Sequence, residues 1–145
     1  KRLLEIHPAS VREADAAGKT PLISAVVGGS MDICKLILET NADINTCSNS
    51  GWSALSYSAI KDNAEIGEWL LESGAILTDN VFRLAVHMGS SEILEMLLRV
   101  DRERASSIRF DDGYSLLHVA IRGFLYLKCD VKKHFKTVNV LQDAE

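Results

Sequence analysis

Apolar residues along this chain come in short bursts at helical spacing, divided by small and turn-forming residues. Leu22, Ala25 and Val26 fall at i, i+3 and i+4, the spacing of one helix face. Ile33, Leu36 and Ile37 repeat it and predict a second helix. Each boundary has a local cause. Thr20 can cap the first helix, because its hydroxyl accepts from an unpaired amide of the first turn. Pro21 follows at the first helical position, where its missing N–H costs little. Gly28 and Gly29 supply a left-handed residue to end the helix, and Asn41 to Asn45 is turn chemistry. Residues 18–45 therefore read as a tight turn, a helix, a glycine break, a second helix and a turn out.

Such a pair is too small to bury its own apolar face and needs neighbours. Gly18 and Gly51 stand 33 residues apart, as do Leu22 and Leu55. Residues 46–77 keep the pattern at Gly51, Ser53, Leu55, Ala59, Ile66, Leu70 and Gly74, with Asp62 where the first unit has Gly29. Asp tolerates the left-handed conformation better than most residues. Trp69 falls on the second-helix stripe and reads as packing. Residues 78–100 are a shortened unit: Ala85 follows Ser58 by only 27 residues, and the turn ahead of the first helix is missing. Thr78, Asp79 or Asn80 can cap that helix.

The last unit, 101–145, opens on a charged run, residues 101–109, that reads as a solvated linker. Gly113, Ser115, Leu117, His118 and Ala120 restore the pattern, which degrades past Ile121. Leu127, Val131, Phe135 and Val138 then form one helical stripe, read as a terminal capping helix with a polar outer face. Its lysines leave open a basic amphipathic helix that touches a membrane or a calmodulin-like partner. At the other end, Leu3 and Leu4 stand 33 residues before Leu36 and Ile37. Residues 1–14 therefore read as the end of a preceding or capping repeat, and the chain as a piece of a longer protein.

The 33-residue period, the Thr20-Pro21-Leu22 start and the Ala42-Asp43-Ile44-Asn45 exit resemble the ankyrin repeat, whose signature is T-P-L-H-x-A. The resemblance implies one domain over residues 1–145: an all-α ankyrin-repeat solenoid of stacked antiparallel helix pairs with short finger turns. The units depart from the family at its histidine position, held by Ile23 and Ser56; His118 alone keeps it. The resemblance gives that histidine a structural role. A lone histidine without a nucleophile or paired carboxylate does not read as catalytic.

Composition narrows the function. An apolar content of 47% and a charged content of 25% are ordinary for a soluble domain. A formal net charge of −4 speaks against nucleic-acid partners, which call for a basic patch. No apolar run approaches the ~20 residues of a membrane span. Cys34, Cys47 and Cys129 lack metal-like spacing and read as free thiols of a reducing compartment, cytoplasmic or nuclear. No nucleophile elbow, zinc-helix motif or phosphate loop is present. The expectation is no enzyme, no cofactor and no metal, but a module that binds a protein or peptide as one array within a longer chain. The alternative is a regulatory or targeting segment of a multidomain protein, with any enzymatic activity elsewhere.

The resemblance also implies where contacts fall: around each turn glycine and near the end of each first helix. In this chain those positions are Ala16, Ala17, Lys19, Val27 and Gly28, then Asn49, Ser50, Trp52, Ile60 and Lys61. The shortened unit keeps His87 and Met88, and the last one Asp111, Asp112, Tyr114, Arg122 and Gly123. Trp, Tyr and Arg are enriched among binding hot spots, so Trp52, Tyr114 and Arg122 are the foremost candidates. The competing reading of Trp52 is that it lies flat on the neighbouring finger and covers apolar surface.

Overall fold

The computed structural model describes residues 13–126 and 131–144. The described residues form helices joined by tight turns, with one isolated β-bridge between Arg109 and Ser115. In chain order the helices are α1 (Pro21–Val27), α2 (Met31–Glu39), α3 (Ala54–Ile60), α4 (Ala64–Glu72) and α5 (Asp79–Met88). After them come α6 (Ser91–Val100), α7 (Arg102–Ser107), α8 (Leu116–Tyr126) and α9 (Val131–Gln142). The chain divides into two compact units. One is Lys1–Ser58 with Glu65–Ile76, and the other is Ala59–Ala64 with Leu77–Glu145. Among the described residues this is the all-α class expected from the sequence.

In the first unit, Thr20 Oγ1 accepts the Ile23 amide at 3.3 Å and caps α1. Gly29, at φ 73°, ends the helix. Its amide donates to the Val26 carbonyl and that of Ser30 to the Ala25 carbonyl, the paired bonds of a Schellman turn. Helix α1 buries Leu22, Ile23, Ala25 and Val26 and packs on α2. Helix α2 buries Cys34 and Ile37. The predicted stripe is thus rotated: Ile33 is 50% exposed, because the face that α2 buries runs through Cys34 and Ile37. Trp69 is likewise only half-buried; α4 buries Ile66, Gly67 and Leu70 instead.

In the second unit, α5 packs on α6 and α8, and α9 packs on α8 and α6. Phe82, Val86, Ile93, Leu94 and Leu97, each 0% exposed, form its centre. Thr78 is the N-cap of α5 but makes no side-chain cap bond. The cap of α6 comes from a distance. Ser90 occupies its N-cap position without a side-chain bond. Asp62 Oδ1 instead accepts the Glu92 and Ile93 amides at 3.0 and 3.1 Å. Asp62 is itself left-handed, at φ 53°.

The charged run 101–109 is not a solvated linker. Residues Arg102–Ser107 form α7, capped by Asp101 Oδ1 on the Arg104 amide at 3.0 Å. Ala105 and Ile108, at i and i+3, are buried. Arg104 Nη1 donates to the Leu77 carbonyl at 2.7 Å and Nε to Asp101 Oδ2 at 3.0 Å. Two apolar residues and one arginine thus dock a helix that charge alone would have left in solvent.

At the C-terminal end, α8 runs past Gly123 to Tyr126 and α9 is a separate helix packed on it. Helix α9 buries Thr137 and Leu141, with Val138 half-buried. Arg102 donates through Nε to the Ala144 carbonyl at 2.7 Å, and through Nη2 to the same oxygen. Leu127, the side chains of Val131 and Phe135, and the reading of residues 1–12 as the end of an earlier repeat lie outside the described residues.

Candidate functional site

Three finger turns share one backbone frame. In the first, the Asp15 amide donates to the Lys19 carbonyl at 3.0 Å and the Gly18 amide to the Asp15 carbonyl at 2.8 Å. In the second, Ser48 to Trp52 and Gly51 to Ser48 repeat these bonds at 3.0 and 2.9 Å. In the third, Phe110 to Tyr114 and Gly113 to Phe110 repeat them at 2.9 and 2.7 Å. The glycine sits at φ 72°, 75° and 81° respectively, a conformation that strains residues with a Cβ. The residue after it, Lys19, Trp52 or Tyr114, is therefore presented in the same way each time. No such turn precedes α5, which begins two residues after Leu77.

In the first unit the two fingers are stitched together. The Asn49 amide donates to the Ala17 carbonyl at 3.0 Å and its Nδ2 to the Ala16 carbonyl at 3.1 Å. A Cβ on Gly18 would run into Asn49, so glycine is needed there for space as well as for backbone. Asp15 Oδ1 accepts the Ala17 and Lys19 amides, both at 2.9 Å.

Tyr57 is the hub that sequence reasoning missed. Buried on α3, it donates its hydroxyl to Ser48 Oγ at 3.3 Å. It meets Trp52 edge to face at 5.7 Å and lies under Lys19 Nζ at 5.5 Å. Trp52 thus packs on a ring of its own repeat, half-buried. Lys19 and Trp52 are held on one shared aromatic support. Asn49 and Ser50 are exposed and Val27 is half-buried. The Asn49 side chain is engaged with the neighbouring finger. The only prior hint of Tyr57 was an aromatic at a first-helix position taken by a small or aliphatic residue elsewhere: Ser24 in the first repeat, Leu84 in the third.

In the second unit, Asp111, Asp112 and Tyr114 share one exposed turn, and Asp112 Oδ1 accepts the Tyr114 amide at 3.3 Å. Tyr114 is 44% exposed, its ring stacked on His118 at 5.4 Å and 24°. His118 Nδ1 accepts the Ser115 amide at 3.3 Å and stands 2.8 Å from Ser115 Oγ. With Nδ1 accepting, the ring proton sits on Nε2. His118 thus fastens the finger to the start of α8 and braces Tyr114. His87 and Met88 are exposed at the end of α5. Ile60 is half-buried and Lys61 exposed at the end of α3. Arg122 lies on α8; its side chain is outside the described residues.

Arg83, a second residue that the pattern did not reveal, occupies in α5 the repeat position that His118 holds in α8. Its guanidinium lies 4.6 Å from the centre of the Phe110 ring, and Nη2 donates to the Arg109 carbonyl at 2.8 Å. The helix without a finger thereby braces the next finger in the chain.

A cleft of about 620 Å³ in the same unit is lined by Leu98, Arg102, Arg109, Leu116 and Leu141 among others. Both of its arginines donate to backbone carbonyls, Arg102 to Ala144 and Arg109 to Ser106 and Ile108, so they serve the fold. Among the described residues, no three His, Cys, Asp or Glu gather as a metal site, and no helix is long and apolar enough to cross a membrane. Burial pushes the Cys34 thiol up to about 11, which keeps it protonated and unreactive near neutrality.

Comparison with known proteins agrees with this geometry. Residues 1–81 match the family model of ankyrin repeats in three copies. The rat (Rattus norvegicus) "Ankyrin repeat and SAM domain-containing protein 6" is 34% identical over 79 residues, covering 54% of this chain and 9% of that protein. The human (Homo sapiens) "Arf-GAP with coiled-coil, ANK repeat and PH domain-containing protein 3" is 51% identical over 41 residues, or 27% of this chain and 5% of that protein. The human "Ankyrin repeat and MYND domain-containing protein 1" is 44% identical over 55 residues, or 38% and 6%. The chain thus spans less than a tenth of the length of these curated relatives.

Proposed function

The chain belongs to the ankyrin-repeat family, and from that premise we propose that it binds a protein or peptide through its finger turns and the exposed ends of its first helices. Ankyrin repeats are protein–protein interaction modules, so the general role follows from the family. The particular residues are our own assignment. The observation that carries it is the position after the turn glycine. It presents Trp52 in the first unit and Tyr114 in the second, each held by a braced ring rather than sunk into a core. A rigid aromatic on a fixed turn gives contact area at small entropic cost.

The test is capture of partners from cell extract by the wild-type chain and by Trp52→Ala and Tyr114→Ala. Weaker capture with little change in melting temperature supports the assignment. Intact capture with collapsed stability would assign both aromatics to the fold. In this reading the chain serves as the recognition segment of a larger multidomain protein. The relatives, whose names combine ankyrin repeats with SAM, Arf-GAP, PH or MYND domains, support that context. The free thiols Cys34 and Cys47 support a reducing compartment, cytoplasmic or nuclear.

A further inference from the structure

Helix α7 carries a sequence that the finger surface does not use. Residues 102–108 read Arg102-Glu103-Arg104-Ala105-Ser106-Ser107-Ile108. Counting from Ser107, arginines stand at −5 and −3 and an apolar residue at +1. An acidic substrate cleft in a protein kinase recognises this arrangement, through guanidinium pairs with its carboxylates and one apolar pocket. Ser107 is the last residue of α7 and is exposed. Its hydroxyl donates to the Arg104 carbonyl at 2.8 Å. Ser106, also exposed, donates to the Glu103 carbonyl at 2.9 Å, but its spacing from the arginines is one residue short.

We propose that Ser107 is a phosphorylation site for arginine-directed protein kinases, and that its phosphorylation releases α7 from its dock. Six residues are too few for a helix that stands alone in water. What holds α7 is the Asp101 cap, the buried Ala105 and Ile108, and Arg104, which bonds the Leu77 carbonyl and lies 3.9 Å from Asp79. Local opening of so short a helix makes the segment available in the extended form that a kinase cleft takes.

In the transfer, Ser107 Oγ attacks the γ-phosphorus of a nucleoside triphosphate. The Oγ–P bond forms as the bond from that phosphorus to the β-bridging oxygen breaks. The hydroxyl proton passes to the kinase's base, and nucleoside diphosphate leaves. The product carries close to two negative charges, strong acceptor oxygens and no Oγ–H donor. The bond to the Arg104 carbonyl is lost, and the new charge sits at the helix C-terminus, where the dipole repels it. Arg104, one turn away, is drawn to the phosphate and off Leu77 and Asp79.

The experiment incubates the folded chain with MgATP and a purified arginine-directed kinase, localises phosphate by tandem mass spectrometry, and follows hydrogen exchange over residues 101–108. The expected result is one phosphate on Ser107, absent in Ser107→Ala and slowed at least about tenfold in Arg102→Ala. Arg104→Lys, which keeps the charge, checks the −3 position with the least risk to folding. Exchange in α7 is expected to accelerate about fivefold or more on phosphorylation, the loss of one hydrogen bond. Phosphate only on Ser106 or elsewhere, or modification of a peptide of residues 99–110 but not of the folded chain, would overturn the site. Unchanged exchange in the phosphorylated chain would overturn the release.

Discussion

Asp62 combines two opposed effects, and substitution separates them. Its left-handed backbone, φ 53°, costs a residue with a Cβ roughly 1–2 kcal/mol relative to glycine. Its Oδ1 offsets that by capping α6 through the Glu92 and Ile93 amides, a role worth about 1 kcal/mol, with a further ~0.3–1 kcal/mol from charge at the helix N-terminus. Asp62→Asn keeps an acceptor and tolerates the backbone, so it is expected to lose only that last ~0.3–1 kcal/mol. Asp62→Gly loses the cap but relieves the backbone, for a net change within about 1 kcal/mol of zero. Asp62→Ala loses the cap and the charge and keeps the strain, for a loss of about 1.3–2 kcal/mol. Urea unfolding followed by circular dichroism measures all three. Ala should fall below Gly by roughly 1–2 kcal/mol, the strain that glycine relieves. If Ala and Gly coincide, the strain is not at Asp62. If Asn is as damaging as Ala, the side-chain oxygen does not serve the two amides.

Other outcomes follow from single contacts. Leu97→Ala should cost about 2–5 kcal/mol in the same unfolding assay, since Leu97 is 0% exposed and its removal leaves a cavity. Arg83→Lys should lose the stack on Phe110 and the geometry of the Arg109 bond, about 1–2 kcal/mol together; its buried Nε has no hydrogen-bond partner among the described residues, so those two contacts carry the attachment. Cys34 is expected to resist a thiol reagent at pH 8 in the folded chain while exposed Cys47 reacts; equal rates would place Cys34 at the surface. Because the folded Cys34 thiol titrates near 11 and the reference thiol at 9.0, its contribution to stability is complete below about pH 9 and is lost as pH rises from there to about 11. A Cys34→Ala variant should show a shallower decline over that window.

Much of the local structure is legible in the sequence alone. The Thr20 cap, the Pro21 start and the Gly29 stop act within a few residues, so composition at those positions suffices. The left-handed Asp62 was legible too, from its place in the 33-residue period. The finger glycines belong to the same class, because positive φ is a property of one residue. Helix α7 was not legible. Its apolar signal is two residues, Ala105 and Ile108, inside a run of charge, and nothing local says that Leu77 waits for Arg104.

The contacts that shape the candidate surface lay further out of reach. Asn49 meets Ala16 across 33 residues, Arg83 meets Arg109 across 26, and Asp62 meets Glu92 across 30. Periodicity brings such positions to the same height in successive repeats. It does not say which side chain reaches across, because that depends on rotamer, burial and the space a neighbour leaves. Tyr57 came under Lys19 only once the chain had folded back on itself, whereas its contact with Trp52, and that of His118 with Tyr114, lie within one repeat and depend on side-chain rotamer alone. Short-range sterics and capping wrote the helices and turns into the sequence, whereas the long-range fit of one repeat against the next chose the partners that tie one finger or helix to another, Asn49 to Ala16 and Arg83 to Arg109.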